Sequence, residues 1–224
     1  MSNSPRALAE SAASVATASM SSGKPPEPAA LAQARAALAA ALAAAPTDLV
    51  VLFLAYQFHF RIGEFDAAEL LAQRRLELAA AESADAARAL GNLGLISQMR
   101  GDLDCAEQRM SCAVDIDRRI GDREGLARDL GNLALVPEAR GDLARAEALT
   151  HEALEIARSI PGPRGEELVA GSISNLGDFA RARGQIEMAR ELWVQAVTIF
   201  ERLGVTKWKA SFEKRFADLD RARS

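Results

Sequence analysis

Cysteine, histidine, tryptophan and tyrosine are all scarce in this 224-residue chain: two, two, two and one. The two cysteines, Cys105 and Cys112, stand seven residues apart in a segment that reads as helix. At about 1.5 Å rise per residue their Cα atoms fall roughly 10 Å apart, beyond disulfide reach. They form no CxxC pair and have no histidine beside them, so no metal site is expected. Both read as packing residues in a reducing, cytoplasmic setting. No run of apolar residues is long enough to span a bilayer; the most apolar stretch, 49-LVVLFLAY-56, reads as a buried helix. Runs of β-branched residues are scarce, which argues against strands. The net charge of −4 lacks the basic excess of a nucleic-acid surface.

What is present is alanine, leucine, arginine and glutamate, a composition that favours helix almost throughout. Residues 1–28, rich in serine and alanine and ending in 24-KPPEPA-29, are expected to be a mobile tail, with a weak amphipathic helix around Ala7–Met20 as the alternative. They lack the charged-then-apolar order of a secretory signal, and a single arginine balanced by Glu10 disfavours a transit peptide.

The chain repeats itself. The stretches 91-GNLGLISQMRGDLDCAE-107 and 131-GNLALVPEARGDLARAE-147 agree at ten of seventeen positions. Aligned on their turn glycines, Gly63, Gly101, Gly141 and Gly184, the copies are spaced by 38, 40 and 43 residues. Five residues after each glycine stands an alanine: Ala68, Ala106, Ala146, Ala189. Each second segment closes on an apolar pair: Leu76/Leu78, Val114/Ile116, Leu154/Ile156, Val197/Ile199. Each unit therefore reads as two antiparallel helices joined at a glycine that ends the first. Such a pair cannot cover its own apolar face, so stacked copies must do it.

The pattern Leu90…Leu93-Gly94…Ser97…Ala106…Met110, with its counterpart Ile173…Leu176-Gly177…Ala180…Ala189…Trp193, resembles the tetratricopeptide repeat (TPR). The period of about 40 residues and the Asn-Leu-Gly element resemble the longer-period branch of kinesin light chains, LGN-type adaptors and bacterial regulator repeats. The resemblance implies an all-α fold, a right-handed superhelical solenoid of antiparallel helix pairs. The expected organisation is a half repeat at 29–46, full repeats at about 48–82, 85–120, 124–160 and 166–203, and a C-terminal capping helix at 205–224 with Trp208, Phe212, Phe216 and Leu219 on one face. Residues 30–45 resemble the second helix of an earlier repeat. Pro137 falls inside the first helix of the third full repeat, where it must remove one backbone hydrogen bond and kink the helix. It is either tolerated drift or a deliberate bend.

The resemblance also implies that first helices line a concave groove, with ligand-facing positions opposite the Leu-Gly stripe. Carried over, these are Val50, Phe53, Gln57 and Phe60; Arg88, Asn92 and Leu95; Arg128, Asn132, Leu135 and Glu138; and Ser174, Asn175, Asp178 and Arg181. Asn92, Asn132 and Asn175 form a ladder that either grips the backbone of an extended peptide or ties adjacent repeats together. Arg88, Arg128 and Arg181 either select an acidic peptide or pair with acids of this chain such as Asp85 and Glu124. Phe53 and Phe60 make one end apolar, unless they are core or the tail folds over them.

No GxxxxGK[ST], GxGxxG, HExxH or GxSxG sequence occurs, and His59 and His151 are isolated, so catalysis is not expected and no cofactor is called for. The expectation is a non-enzymatic, cytoplasmic adaptor binding a protein or peptide of acidic character, with no nucleic acid and no membrane. The alternative is a scaffold that self-assembles through its end helices.

Overall fold

A computed structural model describes residues 4–222; residues 1–3 and 223–224, which the tail and capping-helix expectations include, lie outside the described residues. Among the described residues there are twelve helices and no strand. They form two compact units, one running to Ala81 and the other starting at Glu82.

The first unit holds α1 (Pro5–Ser22), α2 (Pro28–Ala44), α3 (Leu49–Arg61) and α4 (Phe65–Leu78). Of the two expectations for residues 1–28, a mobile tail and a helix around Ala7–Met20, the described residues show a helix. Residues 5–22 are a full helix, because Ala9, Ala12, Ala13 and Ala16 recur on one face and are buried to 5% exposure or less. A stripe of alanines lets backbones approach closely, and α1 packs against both α2 and α3, while α2 and α3 barely meet. It is α1, rather than α2, that packs along α3. It covers the Val51, Ala55 and Phe58 stripe of α3. Arg61 Nη1 fastens the packing by donating to Thr17 Oγ1 at 2.5 Å.

The second unit holds α5 (Ala84–Met99) with α6 (Leu103–Ile120), then α7 (Arg123–Leu133), α8 (Leu135–Ala139) and α9 (Leu143–Arg158), then α10 (Pro163–Ala182) with α11 (Ile186–Arg202), and last α12 (Lys209–Ala222). The Gly-Asp turns work as a two-part device. Gly101 and Gly141 adopt φ of +80° and +81°, conformations an L-residue rarely takes. The aspartate that follows caps the next helix: Asp102 accepts from the Cys105 N–H and Asp142 from the Arg145 N–H, each at 3.1 Å.

The Leu-Gly signature has an equally direct cause. A Cβ on Gly94 would sit 2.5 Å from Met110 Cγ, and one on Gly177 would collide with the Trp193 indole. Where the first helix carries the larger Ala134, the second carries the smaller Thr150 at the corresponding position, and both are fully buried. Volume is conserved across the pair. Pro137 acts as expected of a residue with no N–H: the first helix is interrupted at Ala134, and α8 resumes it for five residues. Repeated ion pairs link neighbouring second helices and turns. Arg140 meets Glu107, and Arg183 meets Glu147 at 2.6 Å. Cys105 is half-buried, whereas Cys112 is exposed and fills no core position.

Candidate functional site

The ligand-facing positions fall into two sets, one in each unit. In the first unit Phe53, Gln57 and Phe60 lie half-buried on α3. Phe53 and Phe60 both stack on Tyr56, with centroids 6.4 and 5.5 Å away, and Arg75 of α4 lies over the Phe53 ring at 4.8 Å. The two rings belong to an aromatic stack within the unit.

In the second unit the asparagine ladder divides into three different situations. Asn175 Nδ2 reaches back to the Gly131 carbonyl at 3.4 Å, joining α10 to α7. Asn132 Nδ2 donates within its own helix, to Asp129 Oδ1 at 3.3 Å. Asn92 Nδ2 is buried without an acceptor, because Ala89 stands where the next repeat has Asp129. One further residue belongs to the ladder. Arg215 of α12 follows Asn175 by 40 positions, and its Nη1 donates to Ser174 Oγ at 2.6 Å, on the preceding first helix as Asn175 does. α12 thus meets α10 through the Arg215 side chain. The signal was present in the sequence as the 40-residue period, but the change from asparagine to arginine hid it.

The charged candidates are mostly engaged. Arg128 donates through Nε and Nη2 to both carboxylate oxygens of Asp129, each at 3.0 Å, a bidentate pair with its own neighbour rather than with Glu124. Asp178 holds Arg215 at 2.9 Å; burial raises its pKa and the positive charge of Arg215 opposes the rise. Glu138 is shifted the same way, by burial and then by the charge of Asp178. Arg88 is half-buried, and burial followed by the like charges of Arg128 and Arg164 makes it less basic than usual. Arg181 is exposed.

Between α7 and α10 lies a half-open cavity of about 180 Å³. Arg128, Asn132, Asn175, Arg164, Glu167 and Ser172 supply its polar wall, and Leu168, Phe200 and Trp208 its apolar wall. Its floor is bare backbone. A Cβ on Gly171 would meet nothing within 4 Å, and one on Gly131 only Asn175 Nδ2 at 3.9 Å. Asn92, Arg88, Asp178 and Arg181 are not among its lining residues, whereas Arg164, Ser172 and Trp208, which the sequence did not single out for a site, are. Mixed walls around an open floor suit a short segment that offers both an apolar side chain and hydrogen-bonding groups. Among the described residues no group of histidine, cysteine and acidic side chains is arranged to hold a metal, and no helix is long and apolar enough to cross a membrane.

A family model, the MalT-like TPR region, matches residues 51–217. No curated protein matches the chain in sequence. Among solved structures, BtubC (BKLC) from P. vanneervenii superposes with a TM-score of 0.64 at 20% identity, over 89% of this chain and 82% of its own. The TPR-like repeats of a putative kinesin light chain from P. anserina give 0.56 at 18%, over 90% and 98%. The apo form of RapI gives 0.63 at 13%, over 80% and 68%. At these identities the likeness is one of fold.

Proposed function

From the premise that the chain belongs to the MalT-like TPR family, whose helix-pair repeats are in general protein-interaction modules, we propose that it is a non-enzymatic adaptor whose second unit captures a peptide segment of a partner against its first helices. The observation that carries this reading is the cavity between α7 and α10. Its hydrogen-bonding side chains and its aromatic wall converge on two single glycines, Gly131 on α7 and Gly171 on α10. A partner backbone can approach there more closely than over any side chain. Asn132, Asn175 and Arg164 are its polar contacts in this reading, Trp208 its apolar one. Asn92 and the arginines Arg88 and Arg181 extend the same face beyond the cavity. Phe53 and Phe60, with the polar Gln57 between them, are its counterparts in the first unit. An acidic partner competes for Arg164, which is half-exposed but already shared between Glu124 at 3.5 Å and Glu167 at 2.8 Å.

Filling the floor tests the reading without removing any bond. Gly171→Leu attaches its side chain through a Cβ that meets no atom within 4 Å and improves helix propensity by about 0.5–1 kcal/mol. The expected result is an unchanged or slightly raised melting temperature together with at least a tenfold loss of partner capture. A folded Gly171→Leu protein that still captures its partner at full strength would place the binding face elsewhere.

A further inference from the structure

Asp117 on α6 and Asp129 on α7 are buried at 0% and 1% exposure. Two helical glycines make room for them, Gly91 in the middle of α5 and Gly125 in the first turn of α7. A Cβ on Gly125 would lie 2.5–2.7 Å from the Asp117 carboxyl, and one on Gly91 of α5 would lie 3.0 Å from Asp129 Oδ1. One cation serves both acids, unequally. Arg128 gives Nε and Nη2 to Asp129, its Nη1 is buried without an acceptor, and Nη2 lies 3.9 Å from Asp117 Oδ2, too far for a hydrogen bond. Neither Asp117 oxygen has a donor from elsewhere. A bare carboxylate in that position is costly. A protonated one is not, because its O–H can be given to Asp129, as in other close carboxyl pairs that share a proton. Burial first, and then the charge of Asp129, push the Asp117 pKa up to about 7 against the pull of Arg128. The other charged groups facing the pair and its cation are Asp122 at the start of α7, Asp85 and Arg88 on α5, and Arg164 on α10.

Arg128 is at once the counter-ion of this pair and a wall of the cavity between α7 and α10. We infer that the Asp117–Asp129 pair is a proton-operated latch that sets where the Arg128 guanidinium stands, and through it the shape of that cavity. With the proton in place, Arg128 and Asn132 are both anchored on Asp129 and the wall is fixed. With the proton gone, Asp117 draws the guanidinium inward; a movement of about 1 Å brings Nη2 within hydrogen-bond range. Arg128 then divides between two carboxylates, and Asn132 loses the fixed acceptor that oriented it. The consequence for partner capture rests on the adaptor reading above: capture weakens as pH rises through neutrality.

Two measurements on the full chain separate the latch from that reading. In the first, the ¹⁵N-edited signals of Arg128 Nε–H and the Asn132 side-chain amide are followed from pH 5.5 to 8.5 without any ligand. The expected result is one shared midpoint near neutrality in the wild type and flat curves in Asp117→Asn, which also excludes His59 and His151 as the source. Static signals in the wild type, or titration that survives in Asp117→Asn, would overturn the latch. Should Asp117→Asn fail to fold, Asp117→Leu takes its place, and the wild-type curve alone already decides whether Arg128 moves. In the second, fluorescein-labelled deca-glutamate is bound at pH 6 and pH 8. Affinity should fall several-fold in the wild type, with a limit of about tenfold per pH unit for one proton, and stay level in Asp117→Asn. Binding at both pH values with no such difference would contradict the link to the cavity. No binding at either pH, with the NMR titration intact, would count against the adaptor reading and leave the latch standing.

Discussion

Trp193→Ala is expected to destabilise the second unit by about 3–5 kcal/mol, the usual cost of emptying a fully buried large aromatic site. Trp193 has no exposure and fills the notch left by Gly177. Phe216 of α12 meets it edge-on at 6.0 Å, and Arg215 lies over its ring at 5.6 Å. Removing the indole therefore loosens α10, α11 and α12 together. Gly177→Ala approaches the same junction from the other side. Its Cβ would have to displace the indole, at a cost of about 1–3 kcal/mol. Combining the two should cost clearly less than their sum, because the new methyl group enters the space the indole has left. Denaturant unfolding of the three variants measures this. Strict additivity would mean that the glycine and the tryptophan are not complementary halves of one contact.

The second large effect is a stability that falls with rising pH, traced to Asp117. Its folded pKa of about 7 lies above the ordinary 3.8. Below about pH 4 both the folded and the unfolded chain hold the proton, and the group has no effect. Between there and pH 7 the unfolded chain ionises while the folded one does not. Stability then falls by up to about 1.4 kcal/mol per pH unit. Above pH 7 the whole loss, on the order of 2–4 kcal/mol, is present. The acid side is limited by carboxylates shifted the other way, such as Glu107, held below its usual range by hydrogen bonds from Arg140 and Arg145. Asp117→Asn keeps the shape, donates an N–H to Asp129 and has no charge to lose. It should raise the melting temperature well above that of the wild type at pH 8.5, with the gap closing toward pH 5. Thermal scans at both pH values decide the matter; parallel pH profiles would show that Asp117 ionises without cost.

Much of the helix-pair architecture was legible because its causes are local. A glycine that must adopt positive φ, an aspartate that caps the next helix, and a Leu-Gly notch matched to Met110 or Trp193 each fall within a few turns of chain. Pro137 was legible for the same reason. Residues 5–22 were left open between tail and helix because alanine and serine carry little hydrophobic signal, while burial of Ala9, Ala12 and Ala16 depends on how closely α2 and α3 approach, which composition does not reveal. The candidate site was less legible. Its asparagines look equivalent in sequence, yet Asn175 bridges helices, Asn132 serves Asp129 and Asn92 has no acceptor, differences set by single residues elsewhere. Asp117 and Asp129 meet only when α6 packs on α7. Their one trace in the sequence is a pair of glycines, Gly91 and Gly125, inside helices that would otherwise avoid them.

The adaptor reading is tested most directly by placing a photoreactive p-benzoylphenylalanine at position 168, on the cavity wall where a large side chain already stands, and in a separate protein at position 195, exposed on α11. Irradiation with a candidate partner should yield one dominant cross-linked species from position 168, lost when deca-glutamate or unlabelled partner is in excess, and none from position 195. Equal cross-linking from both positions, or cross-linking from position 195 alone, would contradict the assignment of the first helices as the binding face.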